Sequence, residues 1–238
     1  MGRSATPSAM EARTELLEFY AAFRDSLPAD NPLLEQLYGP ELLWADDDYF
    51  AARERVAVIG KQIDGCDYHC RDFVSTWSVQ QATALTKAFD FGATYYASPF
   101  WQFFHVVRRS HLGTDSSRRS LLWANLVKFV TGHKDPVLWQ PYREEALSLQ
   151  DAVFKAELRI LRPDICIFVV GPEYDEILSR YFPGLQFVGE PSTLRHFARL
   201  EHQDLPARSY RTFHPLGMRY QGRWDETLAL LGGELGWP

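Results

Sequence analysis

The sequence predicts an α/β protein, a three-layer α/β/α arrangement with a short, mainly parallel central sheet. Three observations predict it. Short apolar, β-branched runs recur, clearest at residues 56–59 (VAVI) and 164–171 (DICIFVVG), as buried parallel strands do. Segments with helical spacing of apolar residues separate them. No repeat, low-complexity stretch or linker interrupts the alternation, so the chain reads as one domain, 1–238, with an N-terminal helical extension to about residue 54.

The elements follow in order. Over residues 8–27, Leu16, Tyr20, Phe23 and Leu27 fall on one helical face, and Pro28 ends the run. Asn31-Pro32 opens a second short helix. Asp46, Asp47 and Asp48 form an acidic helix start, not a metal site, because adjacent side chains do not converge. Residues 56–59 form a strand that ends at Gly60 and feeds a loop. Helices are expected at 78–89 and at 99–108, the latter with Pro99 in its first turn. Residues 121–129 hold a buried strand interrupted by Asn125. A long helix spans 143–161 and stops before Pro163. Then come a strand at 164–171, a helix at 174–182, and strands at 185–188 and 209–213. The last strand ends at His214-Pro215, and a terminal helix covers 224–231.

Composition narrows the function classes. No apolar run approaches the roughly 20 residues that span a bilayer, and no basic-then-apolar leader opens the chain. The three cysteines, Cys66, Cys70 and Cys166, are an odd number at spacings that fit neither a disulfide framework nor a zinc site. A cytoplasmic protein without a metal is expected. The absence of GxGxxG and GxxxxGK[ST] leaves nucleotide cofactors without support. Net charge is −6, but it is unevenly spread. Residues 1–54 hold 11 acids against 4 bases, whereas residues 191–224 hold 6 arginines against 2 acids. A second basic cluster comprises Arg108, Arg109, His111, Arg118 and Arg119. Local potential, not total charge, attracts a polyanion.

Three segments carry candidate chemistry: VAVIGKQIDG (56–65), LLWANLVKF (121–129) and RTFHPLGM (211–218). Each puts polar residues at or just past an expected strand end, where open α/β sheets bind ligands. A buried Asn in a strand is costly unless it serves a structural bond or a ligand. In order and rough spacing, these segments resemble the uracil-DNA glycosylase superfamily. The resemblance covers about residues 55–220. It implies hydrolysis of an N-glycosidic bond in DNA, single-stranded or double-stranded with a flipped base, by a monomer without cofactor or membrane attachment. It assigns Asn125 to reading the base, His214 to the base O2, and Leu216 or Met218 to a wedge in the duplex. Phe100 or Trp77 would stack on the base, with Phe73 and Trp101 as other aromatic candidates. Lys128 and Arg211 would contact phosphates.

The first segment departs from the pattern. Where familiar members read Gly-Gln-Asp-Pro-Tyr, this chain has Gly60, Lys61, Gln62, Ile63 and Asp64. Gln62 stands at the water-handling position, and an amide is no general base. Asp64 is the one carboxylate of the loop before Gly65 and is expected to take the acidic role. The Tyr that closes the pocket against C5 substituents is replaced by Asp64. In that respect the chain resembles bacterial anti-phage glycosylases that remove glucosylated 5-hydroxymethylcytosine. The competing expectations are a uracil or mismatch repair glycosylase and a catalytically inactive DNA-binding or sensing protein.

Overall fold

The computed structural model describes residues 8–62, 68–94, 96–131 and 142–237. Its strands are β1 (Val56–Gln62), β2 (Leu122–Val127), β3 (Ile165–Phe168), β4 (Gln186–Val188), β5 (Phe197–Glu201) and β6 (Arg208–Thr212). Its helices are α1 (Ala9–Ser26), α2 (Asp47–Ala51), α3 (Cys70–Ser75), α4 (Val79–Ala88), α5 (Pro99–Leu112), α6 (Arg143–Ser148), α7 (Asp151–Leu161), α8 (Asp175–Tyr181), α9 (Pro215–Tyr220) and α10 (Trp224–Leu235). The chain is α/β and divides into two compact units. One combines Met1–Phe50, Gln62–Phe89 and Val127–Arg162. The other combines Ala51–Lys61, Asp90–Leu126 and Pro163–Pro238.

The first unit is mainly helical. Ser8 and Glu11 close a reciprocal capping box at the start of α1, which satisfies two backbone donors that the first turn leaves open. Ala12, Leu16, Tyr20 and Phe23 then bury one stripe of α1, which packs on α7, α4 and α3. Phe23 lies 6.4 Å from Phe73 and 6.1 Å from Phe129, ring centre to ring centre. The single helix expected over 143–161 is two helices, α6 and α7. It breaks because the Gln150 carboxamide oxygen accepts from the backbone N–H groups of Lys128 and Phe129, just past β2. A side chain there does the work of a neighbouring strand.

The second unit carries the sheet, in the order β2-β1-β3-β6-β5-β4. β1, β3 and β6 run parallel, with Ile59 beside Phe168 and Phe168 beside Arg211. β5 is antiparallel to both β6 and β4, so the sheet is mixed. The apolar runs of β1 and β3 are fully buried, as a continuous β-branched sequence requires. β1 outlasts its expected end at residue 59 and passes through Gly60 to Gln62. β5 was not expected, although the last four residues of FARLE alternate buried and exposed positions. α3 and α9 were not expected either. Among the described residues no helix is long and apolar enough to cross a membrane.

Candidate active site

The carboxyl ends of the parallel strands gather four of the residues singled out in the sequence. Gly60 lies inside β1, and Asn125 lies in β2 between buried Ala124 and Leu126. A β-carbon on Gly60 would overlap the Asn125 carboxamide oxygen and would stand 3.3 Å from Cε2 of Phe100. The glycine therefore permits a close approach of side chain to strand. Phe100 occupies the first turn of α5, which Pro99 opens. Its ring faces the His214 imidazole with centroids 6.2 Å apart and planes 21° apart.

His214 follows β6 and caps α9. The backbone N–H of Leu216 donates to His214 Nδ1 at 3.4 Å. In the neutral ring an Nδ1 that accepts leaves the proton on Nε2. Pro215 occupies the first helical position, where its missing N–H costs nothing. α9 packs on α5, and the Arg219 guanidinium donates to Gln102 Oε1. That bond holds the helix bearing His214 to the helix bearing Phe100.

One charged pair at the same strand ends was not singled out in the sequence. Lys61 Nζ is 2.6 Å from Glu173 Oε1 and lies 5.1 Å from the centre of the Tyr174 ring. Glu173 sits in the short 3-10 turn Pro172–Tyr174 after β3. Gly171 precedes it with φ +79°, and the Glu173 carboxylate fills the space that a side chain at Gly171 would need. The Gly171 N–H donates to Thr212 O at 2.9 Å, which ties this turn to the end of β6. The Gly-Pro-Glu after the clearest strand was the available signal.

Several expected roles are corrected. Lys128 is buried, with Nζ 2.7 Å from Glu157 Oε2. The same carboxylate accepts from the Tyr20 hydroxyl at 2.7 Å. Burial pushes the Glu157 carboxyl up, against the pull of Lys128. Arg211 is 2% exposed and forms a two-pronged pair with Asp175, at 2.9 and 3.0 Å. It also donates to the carbonyls of Arg195 and Leu194. Burial raises the Asp175 carboxyl, Arg211 opposes that shift, and Glu173 adds to it. Neither cation is placed to meet a phosphate, because each is itself buried and committed to a carboxylate, Glu157 for Lys128 and the half-buried Asp175 for Arg211. Met218 is fully buried and makes no wedge, whereas Leu216 is 43% exposed.

The aromatic candidates also separate. Trp77 stacks on Tyr68 in the first unit at 4.3 Å and 18°. Phe73 is core. Trp101 packs edge-on against Phe91, Phe104 and Trp123. Phe100 stands beside His214. Gln62 is the last residue of β1 and is half-buried. Asp64 and Cys66 lie outside the described residues. His69 precedes α3 and Cys70 is buried in it. Among the described residues no three His, Cys, Asp or Glu side chains converge as a metal site.

Together these groups offer an imidazole donor, a carboxamide with both donor and acceptor atoms, a flat apolar ring and an ion pair. Neither a protein-family model nor a curated protein sequence matches the chain.

Proposed function

We propose that this chain is a monofunctional DNA glycosylase. In this reading it hydrolyses the N-glycosidic bond of a flipped, modified pyrimidine and leaves an abasic site. The observation that carries the reading is the gathering of Gly60, Asn125, Phe100 and His214 at one end of parallel strands. A departing base carries negative charge, and a fixed donor near its O2 lowers the barrier. Nε2 of His214 is that donor. Asn125 matches a pyrimidine edge, which presents both donors and acceptors. Phe100 supplies the surface on which an extruded base stacks. Asp64, two residues after β1 in the sequence, serves the positive charge that develops on the sugar and orients the attacking water. Leu216 fills the gap in the duplex. The three-layer arrangement of the uracil-DNA glycosylase superfamily belongs to the same proposal.

The preferred substrate is glucosylated 5-hydroxymethylcytosine in phage DNA, because no Tyr occupies the loop position that would exclude a bulky C5 group. The test incubates the protein with glucosylated, unmodified and uracil-containing DNA and measures abasic sites. Abasic sites in glucosylated DNA alone, lost in His214→Ala and Asn125→Ala, are expected. Inertness on all three DNAs overturns the reading, and release of uracil alone redirects it to repair.

A further inference from the structure

α5 carries Phe100 in its first turn and Arg108 and Arg109 near its end. Arg118, in the segment after α5, lies near enough for its charge to act on the same end of the helix. The buried His105 imidazole is held below its ordinary range by burial first and then by the positive charges of Arg108, Arg118 and Arg109. Arg109 and Arg118 act on Arg108 in the same way. Among the described residues no carboxylate pairs with Arg108, Arg109 or Arg118. Like charges gathered without a counter-charge repel, and in a chain of net charge −6 the excess is local.

The arginines differ in what occupies them. Arg108 is 7% exposed and donates to the Ser116 carbonyl, to Ser116 Oγ at 2.8 Å and to His105 Nδ1 at 3.4 Å. It anchors the loop. Arg109 is half-buried and Arg118 is exposed. Tyr96, 41% exposed, joins Arg109 to His105. Its ring stacks on His105 at 5.8 Å and 24°, and its hydroxyl accepts from Arg109 Nη1 at 3.3 Å. An exposed, braced aromatic ring beside two arginines matches the chemistry of a nucleic-acid strand, which offers phosphates and stackable faces together. An acidic peptide would use the arginines and leave the ring without a role. Arg109 follows Phe100 by two and a half turns of one helix, about 13 Å along its axis, so the two residues lie on opposite faces of α5.

We propose that Tyr96, Arg109 and Arg118 form a DNA-binding surface on the face of α5 opposite Phe100. The two arginines take backbone phosphates and Tyr96 packs against a base or sugar. The identity of the polyanion rests on the DNA reading above, but the proposal does not require catalysis.

The test measures binding of the full chain to a labelled, unmodified oligonucleotide between about 50 and 200 mM salt. Each lost phosphate contact removes about 0.7–0.9 from the slope of log K against log salt. The double variant Arg109→Gln, Arg118→Gln is therefore expected to lose about 1.4–1.8. Arg199→Gln, which removes an arginine paired with Glu201 on β5, leaves the slope unchanged. Tyr96→Leu weakens binding of a single-stranded probe at least about five-fold, with little change in slope. An unchanged slope in the double variant, or a wild-type chain that binds no DNA, overturns the proposal. Base release by a chain whose slope does not depend on the arginines keeps the glycosylase reading and removes this one. A slope lost in a chain that releases no base does the reverse.

Discussion

The carboxamide oxygen of Asn125 occupies the space that a β-carbon on Gly60 would fill. The two residues are therefore one constraint, and Gly60→Ala must push Asn125 out of place. Overfilling a packed site costs about 1–3 kcal/mol. We expect that loss of stability together with a fall in base release larger than destabilisation explains, measured by denaturant titration and an abasic-site assay. A Gly60→Ala protein with wild-type release would separate Asn125 from the base.

His214 caps α9 and, under the proposed function, also serves the departing base; substitution can divide the two. Asn is as good a helix cap as any side chain, but it cannot place a donor where the imidazole Nε2 lies. His214→Asn is expected to keep stability within about 1 kcal/mol of wild type and to lose about 10²–10³ in release rate. Full activity in the Asn variant would reduce His214 to a cap.

Arg211 tests the difference between an internal ion and a phosphate contact. Arg211→Ala strands the Asp175 carboxylate and two carbonyls. Removing one partner of a fully buried pair costs about 3–5 kcal/mol, and the partial exposure of Asp175 lowers the cost here. The expected result is a large drop in thermal stability without DNA present. A stable variant with weakened DNA binding would restore the phosphate role.

Acid should destabilise the second unit through two histidines. Burial, the largest cause in each, holds His105 and His111 below the ordinary histidine value, although the Phe91 carbonyl and Glu54 pull the other way. The unfolded chain then binds protons at a higher pH than the folded one. Their contribution to stability is full above about 6.5 and is lost as pH falls through the lowered folded values. The midpoint of thermal unfolding should drop between pH 7 and pH 5, and His111→Gln should flatten that dependence. A wild-type midpoint that rises on acidification over this range would contradict it.

Local signals were legible and partnerships were not. The runs at β1 and β3 are buried as their β-branched apolar composition requires, and the periodicity of Leu16, Tyr20 and Phe23 gave α1. Gly60, Asn125 and His214 could be singled out because each breaks a local pattern: a glycine in an apolar run, an amide in a strand, a histidine before proline. Lys128 and Arg211 were misjudged because a sequence displays a charge without its counter-ion. Glu157 and Asp175 reach them only through the folded chain. The break between α6 and α7 has the same origin, since Gln150 serves backbone groups just past β2. Leu216 and Met218 differ by two residues in one short helix, and only the packing of α9 tells which side is covered. Lys61 and Glu173 lie 112 residues apart and declare themselves only when β1 and β3 pair.

Tyr20, Glu157 and Lys128 share one carboxylate in the first unit, all three out of contact with water. Replacing any one leaves the others stranded, whereas replacing all three with apolar residues of similar volume is often neutral or stabilising. A mutational path that takes them one at a time crosses a valley of unfolded sequences. In a library selected for folded protein, survivors altered at Glu157 should be altered at Lys128 as well. The trio behaves as one structural unit, spelled at three distant points of the chain.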